Sequence, residues 1–216
     1  MLCAGIRSIM GLQISQSKII LAIINGIEQA QLFYENCSGG YWLWTAPEYL
    51  ININIAQKLT ALDGAKYVTL ESNVHQALRA SQDRLFGAPK KKLRHRGRFD
   101  LVFWWGNDSP RCAIEVKNQV SSYSQILKDI DRLESLIDRN KDNSSFQFGV
   151  MAFYTSCIGS KKKSAAEIIT TRINRLLEQT KNHVSAKIAV TMHYGEITSR
   201  ENSAHVAVCF VLKRKV

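Results

Sequence analysis

The sequence predicts an α/β domain whose mixed central sheet is flanked by helices. Helical segments with one apolar face alternate along the chain with short apolar strand segments, and the first half places three strand segments in succession. A chain of 216 residues with 45% hydrophobic residues and three prolines has the length and composition of a domain with a substantial core. No repeat or low-complexity linker divides the sequence, so we expect residues 1–216 to form one domain.

Four helices are predicted from the helical spacing of apolar residues. The second has the features of a helix start, because Thr45 can cap it, Pro47 lies in its first turn and Glu48 stands three residues after the cap. The fourth begins with Ser164 and Glu167, which match a capping box. The predicted helices are 17–36, 46–61, 122–140 and 164–183.

Six strands are predicted where short apolar runs lie between turn residues. The runs 98–105 and 112–117 are joined by the polar segment 106–111, and this arrangement predicts a β-hairpin. The predicted strands are 67–71, 98–105, 112–117, 146–155, 186–194 and 205–212.

Positive charge is the strongest signal in the composition. Lys and Arg total 29 against 18 Asp and Glu, for a formal charge of +11, and the excess is clustered at 89–98, 161–163 and 213–215. Neutralisation of phosphates by such clusters favours a DNA partner, although a basic, merely well-solvated surface is the alternative. The residues predicted to contact DNA in the first two clusters are Lys90, Lys91, Lys92, Arg94, Arg96, Arg98, Lys161, Lys162 and Lys163.

Cysteine usage and hydropathy predict a cytoplasmic protein. The five cysteines are odd in number and form no CxxC or Cys/His cluster, which indicates reduced thiols and no structural zinc site. The longest apolar run near the N-terminus, 19–24, is far shorter than the roughly 20 residues that span a membrane. The first residues also lack the apolar core and cleavage site of a signal peptide, so we expect no membrane partner.

Three ionisable residues interrupt the apolar strands of the predicted hairpin. Side chains alternate along a strand, so Glu115 and Lys117 share a face. If 106–111 is the loop, Asp100 stands opposite Lys117 and Glu115 is its diagonal neighbour. The inference depends on this register, and the alternative is a simple Asp100–Lys117 ion pair with Glu115 at a solvated edge.

Two converging carboxylates repel each other unless a cation lies between them. Oxygen ligands favour Mg²⁺, with Mn²⁺ as the alternative ion, and Mg²⁺ commonly shares its coordination with substrate phosphates. A lysine beside such an ion can hold or deprotonate the attacking water, or stabilise the developing negative charge. Together these parts predict metal-assisted hydrolysis of a phosphodiester bond.

The residues GRFD (97–100) and AIEVK (113–117), followed by an amphipathic helix, resemble the core of the PD-(D/E)XK nuclease superfamily. The resemblance covers 45–156 and implies the restriction-endonuclease-like αβββαβ core. Residues 1–40 are then a helical extension whose role the sequence does not indicate, and 157–216 add a helix and closing strands. Phe99 stands where the family name shows proline.

The resemblance also implies roles for individual residues. Asp100 and Glu115 match the metal-binding acids, and Lys117 matches the lysine that positions or activates water. Many members carry a further glutamate on the helix before the first strand, and Glu48 matches it in order and element as a third metal ligand. The alternative role of Glu48 is the capping box with Thr45.

The predicted function is that of a Mg²⁺-dependent endonuclease acting on DNA. The alternatives are a non-catalytic module on the same fold that binds nucleic acid or a partner, and a nuclease for branched DNA or RNA. Gln119 resembles polar residues that some family members place against DNA, with an ordinary loop residue as the alternative. Small nucleases of this fold often act as homodimers, and stand-alone members resemble restriction, defence or mobile-element enzymes.

Overall fold

The computed structural model describes residues 14–81, 91–94, 96–138 and 144–215. These residues form a mixed seven-stranded sheet with helices on both faces, so the predicted α/β class is confirmed. Within them, no helix combines the length and apolar composition needed to cross a membrane. In chain order the elements are α1 (Gln16–Ser38), α2 (Glu48–Thr60), β1 (Lys66–Asn73), α3 (Val74–Ala80), β2 (Arg98–Trp105), β3 (Pro110–Lys117), α4 (Leu127–Ile137), β4 (Phe148–Ile158), α5 (Ala165–His183), β5 (Ile188–Tyr194), β6 (Thr198–Arg200) and β7 (Ser203–Arg214).

The sheet has the strand order β1-β2-β3-β4-β7-β5, and the short β6 pairs with β7. Strands β3 and β4 are parallel and are connected through α4, whereas the other neighbouring pairs are antiparallel. Because β3 and β4 run in the same direction, their C-terminal ends lie at the same edge of the sheet. Strand β4 continues to Ile158, five residues beyond Phe153, the partner of Lys117, so the loop after β3 lies beside the last part of β4.

Two hydrophobic cores lie on the two faces of the sheet. One core packs α1 and α2 against residues such as Leu101 and Ile114, and the other packs α3, α4 and α5 against the alternate residues, such as Val102 and Ala113. Helices α1 and α2 approach closely at Gly26, where an added Cβ would lie 2.6 Å from the Cα of Ile55. Alternation along each strand thus divides the side chains between the two cores.

The four predicted helices are present, with ends that differ by a few residues. The predicted helix 122–140 is divided into a 3₁₀ turn at Tyr123–Gln125 and α4, and residues 139–140 lie outside the described residues. The structure adds α3 and β6, which are too short to produce a clear periodic pattern. The capping box of Ser164 and Glu167 is confirmed at the start of α5.

The capping box predicted at the start of α2 is wrong. Pro47 occupies the N-cap position, and Thr45 belongs to a separate 3₁₀ turn, Leu43–Thr45. The Thr45 hydroxyl donates to the Trp42 carbonyl at 3.0 Å instead of capping the helix. Glu48, the first residue of α2, is therefore not engaged by Thr45.

The predicted register of the hairpin is also wrong, by two residues. Strand β3 begins at Pro110, so the loop is shorter than predicted, and a bulge lies between Phe103 and Trp104. Leu101 stands opposite Ile114, and one further residue along places Asp100 opposite Glu115 rather than Lys117. A shift of two residues preserves the face on which each side chain lies, so the three ionisable residues still share one side of the sheet.

Candidate active site

The C-terminal end of β3 brings together the four residues predicted to form a catalytic site. Glu115 and Lys117 lie on β3 on the face covered by α4, and Asp100 reaches them from the neighbouring strand β2. Glu48 reaches the end of β3 from the first turn of α2. The site therefore lies where the sheet, α2 and α4 meet.

Asp100, which is half-buried, and Glu115, which is buried, form a pair of neighbouring acids whose charges act on each other. Asp100 Oδ2 accepts a hydrogen bond from the backbone N–H of Val116 at 2.7 Å. Burial is the main cause that raises the pKa of Asp100, and the Val116 N–H and the charge of Lys117 oppose it. Burial also raises the pKa of Glu115 well above its ordinary value, and the charge of Asp100 raises it further. Two such carboxylates need a proton or a cation between them.

Arg132 of α4 holds one oxygen of Glu115. Its Nη1 lies 2.7 Å from Glu115 Oε1, and both side chains are buried. The guanidinium lies over the ring of Phe99, with 5.3 Å between Cζ and the ring centroid. Gly97 leaves space for it, since an added Cβ there would lie 2.5 Å from Arg132 Nη2. The segment GRFD thus encloses Arg132 as well as supplying Asp100.

Lys117 lies within an acidic environment. Its Nζ is 3.1 Å from Glu48 Oε1 and 3.6 Å from Asp129 Oδ2, and it donates to the Val116 carbonyl at 3.0 Å. Burial acts to lower the pKa of Lys117, but Asp129, Glu48 and Asp100 outweigh burial, so the pKa is raised. Lys117 is therefore a cation at neutral pH and suits a role as a hydrogen-bond donor better than one as a base.

Asn118 connects the site to the segment that precedes α2. Its backbone N–H donates to Glu48 Oε2 at 3.0 Å, so Glu48 is held by two consecutive residues of the β3 end. The Asn118 side-chain amide donates to the carbonyls of Leu43 and Ala46 at 2.8 and 2.9 Å. The 3₁₀ turn before α2 is thereby attached to the end of the strand that carries the site.

The predicted metal ligands do not form a compact group of three. Within the described part of the chain, one group of three Asp, Glu, His or Cys side chains has its ligand atoms within 4.8 Å of one another. Its members are Asp131, Glu134 and His183. In that set Asp131 already binds Lys92 and His183, each at 2.7 Å. At the β3 end, Glu48 is held by Lys117 and Asn118, and the two acids Asp100 and Glu115 are the pair with direct coupling.

The first basic cluster precedes β2 in the chain and ends at its first residue, Arg98. Arg98 is the first residue of β2 and is exposed, as are Arg94 and Arg96 before it. Lys92 binds Asp131 of α4. Lys90 and the side chain of Lys91 lie outside the described residues. The segment leads directly to Asp100, as the sequence predicts, but one of its lysines is already paired.

The second basic cluster, Lys161–Lys163, is exposed in the turn between β4 and α5. This turn lies at the same sheet edge as the site because β3 and β4 are parallel. Gln119 does not continue β3, which ends at Lys117. Its φ is 52°, and its amide accepts from and donates to Ser156 of β4. Gln119 therefore connects the loop after β3 to β4.

Sequence reasoning missed Asp129, Arg132 and Asn118. The burial of Asp129 could have been predicted from the sequence. It falls three residues after Ile126 and four before Leu133, and so lies on the apolar face of α4. An acid on such a face needs a partner, which proves to be Lys117. Arg132 and Asn118 gave no local signal, since their partners are distant in the sequence.

Comparison of the chain with protein-family models, with curated proteins and with solved structures finds no significant match. The family relationship is therefore a prediction that rests on the residues of the site and on the order of the elements.

Proposed function

We propose that the protein is a Mg²⁺-dependent DNA endonuclease with a PD-(D/E)XK-like core. The observation that carries the proposal is the meeting of Asp100, Glu115 and Lys117 at the end of β3, where Glu115 is buried, Asp100 is half-buried, and the charge of Asp100 raises the pKa of Glu115. Removing two adjacent carboxylates from water, one completely and one in part, is unfavourable in a purely structural role, because their charges lose hydration. Acids whose pKa values are raised in this way are typical of functional sites.

The order of the elements supports the same proposal. From α2 to β4 the described part of the chain contains a helix, three strands, a helix and a strand, with the short α3 and two 3₁₀ turns as insertions. This order corresponds to the αβββαβ core that the resemblance implies. The acids and the lysine lie on the second and third strands of that core, where the motif requires them.

The donor set of the site is compatible with Mg²⁺. Asp100 and Glu115 present carboxylate oxygens, and the Val116 N–H and Arg132 each engage one oxygen of a different acid. Such hard oxygen donors are the ligands that Mg²⁺ prefers, with water and phosphate oxygens completing its coordination. Bound there, Mg²⁺ would supply Lewis-acid activation of a phosphodiester.

Each residue around the acids then has a distinct task. The Lys117 ammonium donates a hydrogen bond to the attacking water or to a phosphate oxygen. Glu48 and Asp129 keep Lys117 charged and oriented, at 3.1 and 3.6 Å. Arg132 holds Glu115 in one orientation from within the core. Such preorganised charges are an efficient means of stabilising a transition state.

A second function is favoured by one observation. Arg132 pairs with Glu115 and Lys117 pairs with Glu48, so the protein's own cations neutralise part of the negative charge of the site. A non-catalytic module that binds nucleic acid through its basic surface would be consistent with this pairing. Such a module would bind DNA in a salt-sensitive way without metal-dependent turnover.

Cleavage of supercoiled plasmid and of single-stranded DNA with Mg²⁺, Mn²⁺ or EDTA separates the two functions. Wild type is compared with Asp100→Asn, Lys117→Met and the control Lys181→Met, which removes a lysine that pairs with Glu178 on the surface of α5. We expect metal-dependent cleavage that falls by at least about 10²-fold in the first two variants and is unchanged in the control. Cleavage that survives in both site variants would refute the proposal, and salt-sensitive binding without cleavage would favour the module.

A further inference from the structure

A groove lined by aromatic side chains lies beside the candidate active site. It has a volume of about 580 Å³ and extends from the segment before α2 to the C-terminal end of β4. Tyr41, Trp44 and Ile158 are each more than half exposed along it, although large apolar side chains are normally buried. The groove is lined mainly by Tyr41, Trp42, Trp44, Gln119, Ile158 and Arg172.

The Trp42 side chain and the backbone next to Trp44 are held in place from behind. The Trp42 ring packs edge-on against His205 at 4.9 Å between centroids, and His205 stacks on Tyr154 at 5.5 Å. The Leu43 N–H between the two tryptophans donates to Gln31 of α1 at 2.8 Å. An aromatic surface fixed in this way presents its faces without a large loss of side-chain entropy on binding.

The groove is attached by direct hydrogen bonds to the loop that follows the candidate catalytic residues of β3. Asn118, which follows Lys117, binds the carbonyls of Leu43 and Ala46 on either side of Trp44. Gln119 lines the groove itself. A ligand in the groove is therefore held at a fixed position relative to Lys117 and the coupled acids.

The charge around the groove suits a polyanion. Of the described residues that line the groove none is acidic, and Arg172 contributes a guanidinium that is held by Thr155 and Ser156 at 2.7 and 2.8 Å. The exposed Lys161–Lys163 turn begins three residues after Ile158. Exposed aromatic faces within a positive surface are the features with which proteins bind unpaired nucleotides, because bases stack on the rings while cations follow the phosphates.

We propose that this groove binds an unpaired, single-stranded segment of the DNA substrate next to the scissile phosphate. The inference rests on the proposed nuclease function and specifies its substrate: DNA with a single-stranded region, such as a frayed end, a flap or a loop. Bases in an intact duplex are stacked on one another, so their faces are not accessible to Trp44. The groove thus selects against continuous duplex.

The test measures binding in EDTA, so that it does not require cleavage. A fluorescein-labelled oligothymidine and a duplex of the same length are titrated by fluorescence anisotropy at one salt concentration. Trp44→Ala removes an aromatic side chain that is 53% exposed, and Phe33→Ala is the matched control, since Phe33 is 54% exposed on α1 and does not line the groove. Both changes affect exposed side chains, and thermal melting checks that each variant folds.

We expect wild type to bind the single strand more tightly than the duplex. Trp44→Ala should weaken single-strand binding by about tenfold, equivalent to about 1.4 kcal/mol, while Phe33→Ala leaves it unchanged. Trp44→Phe should retain most of the affinity, because a phenyl ring still stacks. If Trp44→Ala binds the single strand as wild type does, or weakens the duplex equally, the inference is overturned. A groove that serves a partner protein predicts the first of these results.

Failure of this inference and failure of the proposed function give different results. Metal-dependent cleavage of duplex together with Trp44-independent binding would refute only the groove assignment. Trp44-dependent binding of the single strand without any metal-dependent cleavage would refute only the nuclease proposal.

Discussion

Removal of the Arg132 guanidinium should destabilise the protein in a pH-dependent way. Arg132 and Glu115 pair at 2.7 Å with side-chain exposures of 6% and 2%. Arg132→Met keeps an unbranched apolar side chain of similar length but leaves the Glu115 carboxylate buried without its cation. Loss of one partner of a buried pair typically costs about 3–5 kcal/mol, a large fraction of the roughly 5–15 kcal/mol by which domains are stable.

The sign of the pH dependence follows from the pKa of Glu115. That pKa is raised well above its ordinary value of 4.5, mainly by burial, and Arg132 is one of the groups that oppose the rise. Below pH 4.5 Glu115 is protonated in both the folded and the unfolded state, so its burial costs the folded state no stability. As pH rises through the folded-state pKa, the buried Glu115 loses its proton and the folded state loses stability. Without Arg132 the folded-state pKa rises further, so the loss at high pH becomes larger. The cost of Arg132→Met should thus be larger at pH 8 than at pH 5.

Urea denaturation of wild type, Arg132→Met, Glu115→Gln and the double variant measures this effect. The double variant has no buried charge at the pair and should be more stable than Arg132→Met at pH 8 by a few kcal/mol. At pH 5 the two variants should differ less, because the raised pKa of Glu115 leaves more of it protonated there than at pH 8. A cost of Arg132→Met that is the same at both pH values, or that Glu115→Gln does not relieve, would refute the electrostatic reasoning and indicate that Arg132 acts through packing on Phe99.

Two further predictions concern the same site. Because protons and Mg²⁺ compete for Asp100 and Glu115, whose pKa values are both raised, Mg²⁺ should increase the Tm more at pH 8 than at pH 6. Glu115→Gln should remove this increase, and a larger effect at pH 6 would contradict the assignment. Gly97→Ala should lower the free energy of unfolding by about 1–3 kcal/mol, because its Cβ would lie 2.5 Å from Arg132 Nη2. Chemical denaturation measures this loss, and a variant as stable as wild type would show that Arg132 can move aside.

Local patterns predicted most elements because the periods of helices and strands are properties of consecutive residues. Alternation along β3 placed Glu115 and Lys117 on one face without knowledge of the partner strand, and the contacts of both residues with α4 agree with it. The same reasoning failed for the loop of the hairpin. The turn closes through hydrogen bonds between Trp105 and both Asp108 and Ser109, and the bulge at Phe103 changes the register. Neither feature has a periodic signal.

The start of α2 shows why a local motif can be misread. Thr45, Pro47 and Glu48 match a capping box, but Glu48 instead accepts hydrogen bonds from Lys117 and Asn118, about 70 residues later in the chain. A charged hydrogen bond to a lysine is stronger than a cap to a neutral backbone group. The tertiary partner therefore determines the role of Glu48.

The sequence by itself determined the α/β class, the positions of the helices and strands and the identity of the three ionisable residues on one face. These features depend on short-range periodicity and on residue chemistry. Only the tertiary structure decided the pairing of Arg132 with Glu115, the partners of Lys117 and the position of Trp44 beside the site. Those contacts join residues that are far apart in the chain, and they form only when α2 and α4 pack against the two faces of the sheet. Burial then shifts the pKa values of the acids, because desolvation is a property of the folded core and not of any local segment.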